Sequence, residues 1–216
     1  LNKIIVQCES FKDLVVQKTG ISSDKIVVTI PMPPLSIKKE DQFIENDNSY
    51  SNFFYPASGL EYKNQRIIVE ACKILKKRDP ELKYKVILTI GGRDTPAIKK
   101  AKKEVDKYKL SIIFDGPIPR DTVYKRYPSS VLIFPSFVES GALPINEAKC
   151  FHSPVLASDV GYSHDFLVNY KNSHFFNPNK AEELADLMEK SIRCELKNRD
   201  INYESLEYKT LFEEAI

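Results

Sequence analysis

Glu139 and Glu147 are two carboxylates with seven residues between them, and the intervening stretch runs from a small-residue turn, Ser140-Gly141-Ala142, into Leu143-Pro144-Ile145-Asn146. Pro144 suits the first position of a helix, where its missing N–H has no intrahelical acceptor to lose. Gly141 and Ala142 carry little bulk, so a ligand can approach the main chain closely. The amides near Leu143 to Ile145 then point outward at the positive end of a helix dipole, a natural seat for a diphosphate. Glu147, about one turn inside the helix, offers two acceptor oxygens to the paired hydroxyls of a ribose, and Glu139 can reach a sugar beyond the phosphates. A plainer reading stands beside this one: Glu139 as a solvated loop acid and Glu147 as a first-turn acid favoured by the dipole.

The elements that must hold these residues alternate regularly. Strands are expected at residues 4–7, 25–30, 52–55, 85–90, 111–114, 131–134, 155–157 and 174–176, and helices at 64–78, 96–108, 121–127, 144–150, 163–167 and 181–194. An earlier helix runs from Glu9-Ser10 through Phe11, Leu14 and Val15 until Gly20 stops it. Short apolar strands alternating with amphipathic helices imply an α/β fold: a Rossmann-like parallel sheet with helices on both faces, preceded by a smaller βαβ unit. Ligands of such sheets collect at the carboxyl ends of the strands, which is where the Glu139 to Glu147 stretch falls. Pro31, Pro33 and Pro34 break regular structure, and polar residues 36–51 read as a linker. The organisation is therefore 1–35, linker 36–51, a Rossmann-like unit at 52–200, and a helical tail at 201–216.

Composition narrows the function classes. Thirty-two basic and 30 acidic residues leave a formal net charge of +2, so no overall field favours nucleic acid. Cys8, Cys72, Cys150 and Cys194 are widely spaced, as expected of reduced thiols in a cytoplasmic protein. His152, His164 and His174 lack acidic companions at helical spacing, so no metal is expected and the histidines read as packing or surface residues. No apolar run approaches the roughly 20 residues that span a bilayer. The lysines from Lys99 to Lys109 are interrupted by Glu104 and Asp106 and read as a solvated helix face, with peripheral contact to anionic lipid as the alternative. The chain starts at Leu1, almost directly before an apolar strand, and reads as a piece of a longer protein.

The stretch from Phe134 to Ala148, followed by Ser153-Pro154-Val155-Leu156-Ala157-Ser158-Asp159-Val160-Gly161, resembles the signature of the family 4 retaining glycosyltransferases. That family has the two-domain GT-B fold. The resemblance covers residues 52–195 and implies that they form the C-terminal, donor-binding domain, with residues 4–33 as the end of the acceptor-binding domain. It departs from the family at Ser140-Gly141-Ala142, where an aromatic residue usually stands between two glycines. By the same resemblance, Tyr62-Lys63-Asn64 supplies Lys63 to the donor phosphates, and Ile118, after Asp115-Gly116-Pro117, lines the base pocket. Arg93, after Ile90-Gly91-Gly92, is a second candidate cation.

The resemblance implies a retaining transfer from a nucleoside diphosphate sugar. Lys63 and Glu139 are its catalytic candidates, and Arg93, Ile118, Gly141, Ala142, Leu143, Pro144 and Glu147 bind the donor. No cofactor or metal is expected. The acceptor is a saccharide or lipid-linked sugar of cell-surface polysaccharide, capsule or lipopolysaccharide synthesis, met in the cytoplasm or at the inner membrane face. This segment alone is expected to be inactive. Two alternatives stand beside this: a nucleotide-sugar-binding module without turnover, and a GT-B-fold epimerase acting on nucleotide sugars, which would want further acid or base groups in the cleft.

Overall fold

A computed structural model of the chain describes residues 3–31, 51–92 and 94–196. Arg93, residues 36–50 of the expected linker and the tail at 201–216 lie outside the described residues.

The first unit is a βαβ arrangement. Strand β1 (Ile4–Val6) pairs in parallel with β2 (Ile26–Val28), and helix α1 (Glu9–Thr19) connects them. Gly20 ends α1 in the left-handed region at φ 69°, and its N–H bonds to the Val16 carbonyl. The expected strand at 25–30 is shorter, because Ser23–Lys25 form a 3-10 turn.

The second unit is a six-stranded, all-parallel sheet of β3 (Asn52–Tyr55), β4 (Lys85–Leu88), β5 (Ile112–Phe114), β6 (Val131–Phe134), β7 (Val155–Ser158) and β8 (Ser173–Phe176). In space they run β5-β4-β3-β6-β7-β8, with β3 flanked by β4 and β6. Central strands β6 and β7 are buried at every position, as expected where helices cover both faces of a parallel sheet. Edge strands β5 and β8 are less covered: β5 exposes Ile113, and β8 is half-buried until Phe176.

Crossover helices α2 (Gln65–Arg78), α3 (Pro96–Tyr108), α4 (Arg120–Arg126), α5 (Leu143–Cys150), α6 (Gly161–Leu167) and α7 (Ala181–Ile192) complete the layers. Helix α2 packs on α3 and α7, while α6 packs on α5 and on α1 of the first unit. The amphipathic spacing of α2 buries Ile67, Ile68, Ala71, Cys72 and Leu75. Thr95 caps α3 by accepting the Ile98 N–H at 3.3 Å, ahead of Pro96. In the core Phe53, Phe54, Leu132, Ile133 and Leu156 are fully buried, each side chain contributing roughly 1.5–3 kcal/mol. Among the described residues no helix is long and apolar enough to cross a membrane.

The strand order reverses at β3, whose chain continues outward to β4 while β6 leads the other way to β7. Loops leaving β3 and β6 diverge there, and the crevice beyond their carboxyl ends is where such sheets bind ligands.

Candidate functional site

A cleft of about 780 Å³ opens at that crevice. Its walls are the loop after β3 (Pro56 to Leu60), the loop after β4 (Thr89 to Gly91), the start of the α4 region (Pro117, Ile118, Arg120, Val123) and the first turns of α5 (Leu143, Pro144, Glu147). Gly91 permits this shape, since a Cβ there would stand 2.6 Å from the Gly116 Cα, and Gly116 itself has φ 76°.

Glu147 is only 4% exposed, yet both of its oxygens are satisfied. Arg120 Nη2 donates to Oε1 at 2.8 Å and the Tyr127 hydroxyl donates to Oε2 at 2.8 Å. Tyr127 is fixed in the core between Phe151, stacked at 5.6 Å, and Phe54, edge-on at 5.6 Å. Burial, with the carboxylate beside it, holds the Tyr127 phenol well above its ordinary value, so it remains a donor. Partial burial opposes the charge on Arg120, but Glu147 and the Tyr124 hydroxyl outweigh it and raise the guanidinium further.

A second cluster stands where β3 and β6 end. Lys63 Nζ lies 2.7 Å from Glu139 Oε1, with side chains 16% and 8% exposed. The ammonium also sits over the Tyr62 ring at 5.2 Å. Buried hydroxyls tie the two loops together. Tyr55 donates to the Lys63 carbonyl at 3.0 Å and shares a 2.9 Å bond with Ser136, whose carbonyl accepts the Tyr162 hydroxyl at 2.7 Å. Burial holds the Tyr55 and Tyr162 phenols well above their ordinary value, so this frame is neutral. The Phe137 N–H adds a main-chain bond to the Tyr62 carbonyl. Asn64, in the left-handed region at φ 53°, anchors the start of α2 by donating to the carbonyls of Pro135 and Pro178.

The predicted residues thus divide between two places. Ile118, Leu143, Pro144 and Glu147 line the cleft, whereas Lys63 and Glu139 pair beside it. Three expectations about the turn need correction. Ala142 is fully buried in the core, so its side chain is not offered to a ligand. The room above Gly141 is taken by Gln7 of the first unit, whose Oε1 lies 1.9 Å from where a Cβ would stand. Finally, the Leu143 amide donates to the Gly141 carbonyl and the Ile145 amide to that of Ala142, both at 2.9 Å, so these amides are engaged locally rather than pointing freely outward. The helix starts one residue before Pro144 because the turn closes on itself through those bonds.

Sequence reasoning missed Arg120, Tyr127 and Gln7. A charged residue just past a Gly-Pro turn was the available signal for Arg120; the other two depend on packing between distant segments. The two units meet closely here, as the Ser10 N–H donates to Asp165 Oδ2 at 2.8 Å and Asn146 Nδ2 donates to the Pro31 carbonyl at 2.8 Å. Among the described residues no group of three or more His, Cys, Asp or Glu side chains is arranged to hold a metal ion. His164, exposed, pairs with Asp159 at 2.7 Å and stacks on Phe175.

The family described as glycosyl transferases group 1 matches residues 36–207. No curated protein sequence matches the chain. Several solved structures are similar in fold. A mutant of S. aureus TarM in complex with fondaparinux, alpha-GlcNAc-glycerol and UDP has a TM-score of 0.73 at 16% identity, over 91% of this chain and 38% of that one. Anabaena HepE in complex with UDP-glucose has a TM-score of 0.72 at 15% identity, over 89% and 54%. A glycosyltransferase from Rickettsia africae ESF-5 has a TM-score of 0.69 at 20% identity, over 89% and 53%. The chain therefore spans between 38% and 54% of the length of these structures. The shared architecture is the Rossmann-like domain of GT-B proteins.

Proposed function

Because the chain belongs to the group 1 glycosyl transferases, we propose that it binds a nucleoside diphosphate sugar and forms the donor side of a retaining transfer to a saccharide or lipid-linked acceptor. The observation that carries this reading is the Lys63–Glu139 pair, 2.7 Å apart at the reversal of strand order and beside a cleft walled by Glu147.

In this reading the nucleoside occupies the cleft, with its base against Ile118 and its ribose at Glu147. The diphosphate runs from the first turn of α5 toward Lys63. As the bond between sugar and phosphate breaks, negative charge grows on the departing diphosphate and the Lys63 ammonium stabilises it. Glu139 holds that ammonium in place and keeps acceptor capacity for hydroxyls of the transferred sugar. A preorganised charge of this kind is typically worth on the order of a hundredfold in rate. Side chains supply the charge, so no metal is assigned.

The retaining outcome and the family 4 assignment rest on the signature from Glu139 to Gly161. A nucleotide sugar as donor is supported by the UDP and UDP-glucose in the complexes of TarM and HepE. The greater length of those proteins supports an acceptor site on a further domain, for a role in cell-surface polysaccharide synthesis at the cytoplasmic face of a membrane.

Calorimetry of the chain against UDP-, GDP- and ADP-sugars tests the reading, with Glu147→Ala and Lys63→Ala as the variants. Binding of one donor, weakened by each substitution, is expected. No binding by any donor, or affinity untouched by both substitutions, rules out the assigned site.

A further inference from the structure

Arg120 is a preorganised hydrogen-bond donor inside the cleft. It is the first residue of α4, at the end of the Pro117-Ile118-Pro119 turn, and its side chain is 51% exposed although three contacts fix it. Nη2 donates to Glu147 at 2.8 Å, Nε donates to the Tyr124 hydroxyl at 2.6 Å, and the guanidinium lies 5.6 Å from the Tyr124 ring. A guanidinium carries five N–H groups. The two bonds leave Nη1 and the second Nη2 hydrogen unengaged among the described residues.

Charge sorts what such a fork can bind here. Among the described residues the charged ones lining the cleft are Arg120 and Glu147, one of each sign and in contact. Among the described residues the cleft walls therefore carry no net charge, the cation nearest the proposed diphosphate path being Lys63 outside them, and the remaining walls are largely apolar or main chain. A neutral ligand rich in hydroxyls fits better. Each hydroxyl of a vicinal diol both donates and accepts. Glu147 is acceptor-only and Arg120 donor-only, and they stand side by side with their poses fixed by Tyr127 and Tyr124.

We infer that Arg120 reads the ribose of the donor together with Glu147: the carboxylate accepts from the diol while the unengaged guanidinium N–H groups donate to its oxygens, so the site selects ribonucleotides over deoxynucleotides. This deepens the proposed function and rests on it. Selection follows because a deoxyribose leaves a partly desolvated N–H without an acceptor, and sites built to bond a hydroxyl reject analogues lacking it.

The test is calorimetry of the chain with UDP, GDP and ADP, their 2′-deoxy and 3′-deoxy counterparts, and the matching monophosphates. The proteins are the native chain, Arg120→Ala and Arg120→Lys, with thermal unfolding followed for each. The native chain is expected to prefer the ribonucleotide roughly tenfold or more. Both variants should lose most of that preference, since lysine keeps the charge but not the fork. If the preference survives in both, or if the loss grows from monophosphate to diphosphate while the preference stays intact, Arg120 serves the phosphates or only the packing of Glu147 and the inference fails. If no nucleotide binds the native chain, the functional reading falls and takes this one with it.

Discussion

Lys63 and Glu139, 76 residues apart in sequence, meet at 2.7 Å and link the loops after β3 and β6. The carboxylate is 8% exposed and the ammonium 16%, so each depends on the other for neutralisation. Removing the cation alone leaves a carboxylate with little water around it. Lys63→Met is expected to destabilise the chain by about 1–3 kcal/mol, whereas Lys63→Met combined with Glu139→Leu should recover most of that loss. Urea unfolding of the two single variants and the double variant measures the coupling. A double variant whose loss equals the sum of the two single losses would mean the pair is not coupled. If the chain forms the donor side of a transferase as proposed, the same Lys63→Met change should lower the transfer rate by roughly a hundredfold.

Tyr127 bonds Glu147 from inside the core, and its ring has no open space around it. Tyr127→Phe keeps the stacking on Phe151 and removes one donor from the carboxylate. The expected cost is about 1–3 kcal/mol, from leaving a buried oxygen without its partner. Nucleotide affinity should fall as well, because Glu147 is then held by Arg120 alone. Denaturation and calorimetry on the same preparation check both effects. A variant as stable as the native chain would mean that the phenol donor contributes nothing to the fold.

Much of this architecture is legible in the sequence. The run of Phe53, Phe54 and Tyr55, and the runs beginning at Val131 and Val155, are apolar segments too short for helices, which fits strands buried on both faces. Pro144 marked the start of α5 to within one residue. Local spacing could not show what arrives from elsewhere in the chain. Glu147 reads as a first-turn acid until Arg120 and Tyr127 are folded against it. Gly141 reads as space for a ligand until Gln7 fills it from the first unit. Free amides at a helix start are a default expectation, and the tight turn at Gly141 and Ala142 overrides it by engaging them.

Two glycines at the site should respond oppositely to an added methyl. At Gly91 a Cβ would lie 2.6 Å from the Gly116 Cα, and backbone cannot move aside without deforming the cleft. At Gly141 it would meet the end of the Gln7 side chain, which can swing away. Gly91→Ala is therefore expected to cost about 1–3 kcal/mol, and Gly141→Ala under about 1 kcal/mol. Gln7→Ala should abolish even the smaller loss. Thermal or urea unfolding decides it; similar costs at both sites would mean that Gln7 is locked in place.

Lys149, next to Cys150 on α5, is 8% exposed and donates to the Phe166 carbonyl at 2.8 Å. Burial holds its ammonium below the ordinary lysine value of 10.5. The sign of the consequence follows from linkage. The folded chain releases this proton at lower pH than the unfolded chain, so between the two values the unfolded chain binds more protons and stability rises with pH. Below both values the burial of a charged ammonium is a constant penalty. Lys149→Met removes that penalty and also removes a donor from the Phe166 carbonyl. Relative to the native chain, the variant should therefore do best at neutral pH and lose ground steadily as pH approaches 10.5. Urea unfolding of both proteins across that range measures the difference directly, and subtracting them cancels the tyrosines and cysteines that titrate in the same window. A difference that stays flat with pH would mean the folded and unfolded chains bind the Lys149 proton equally well.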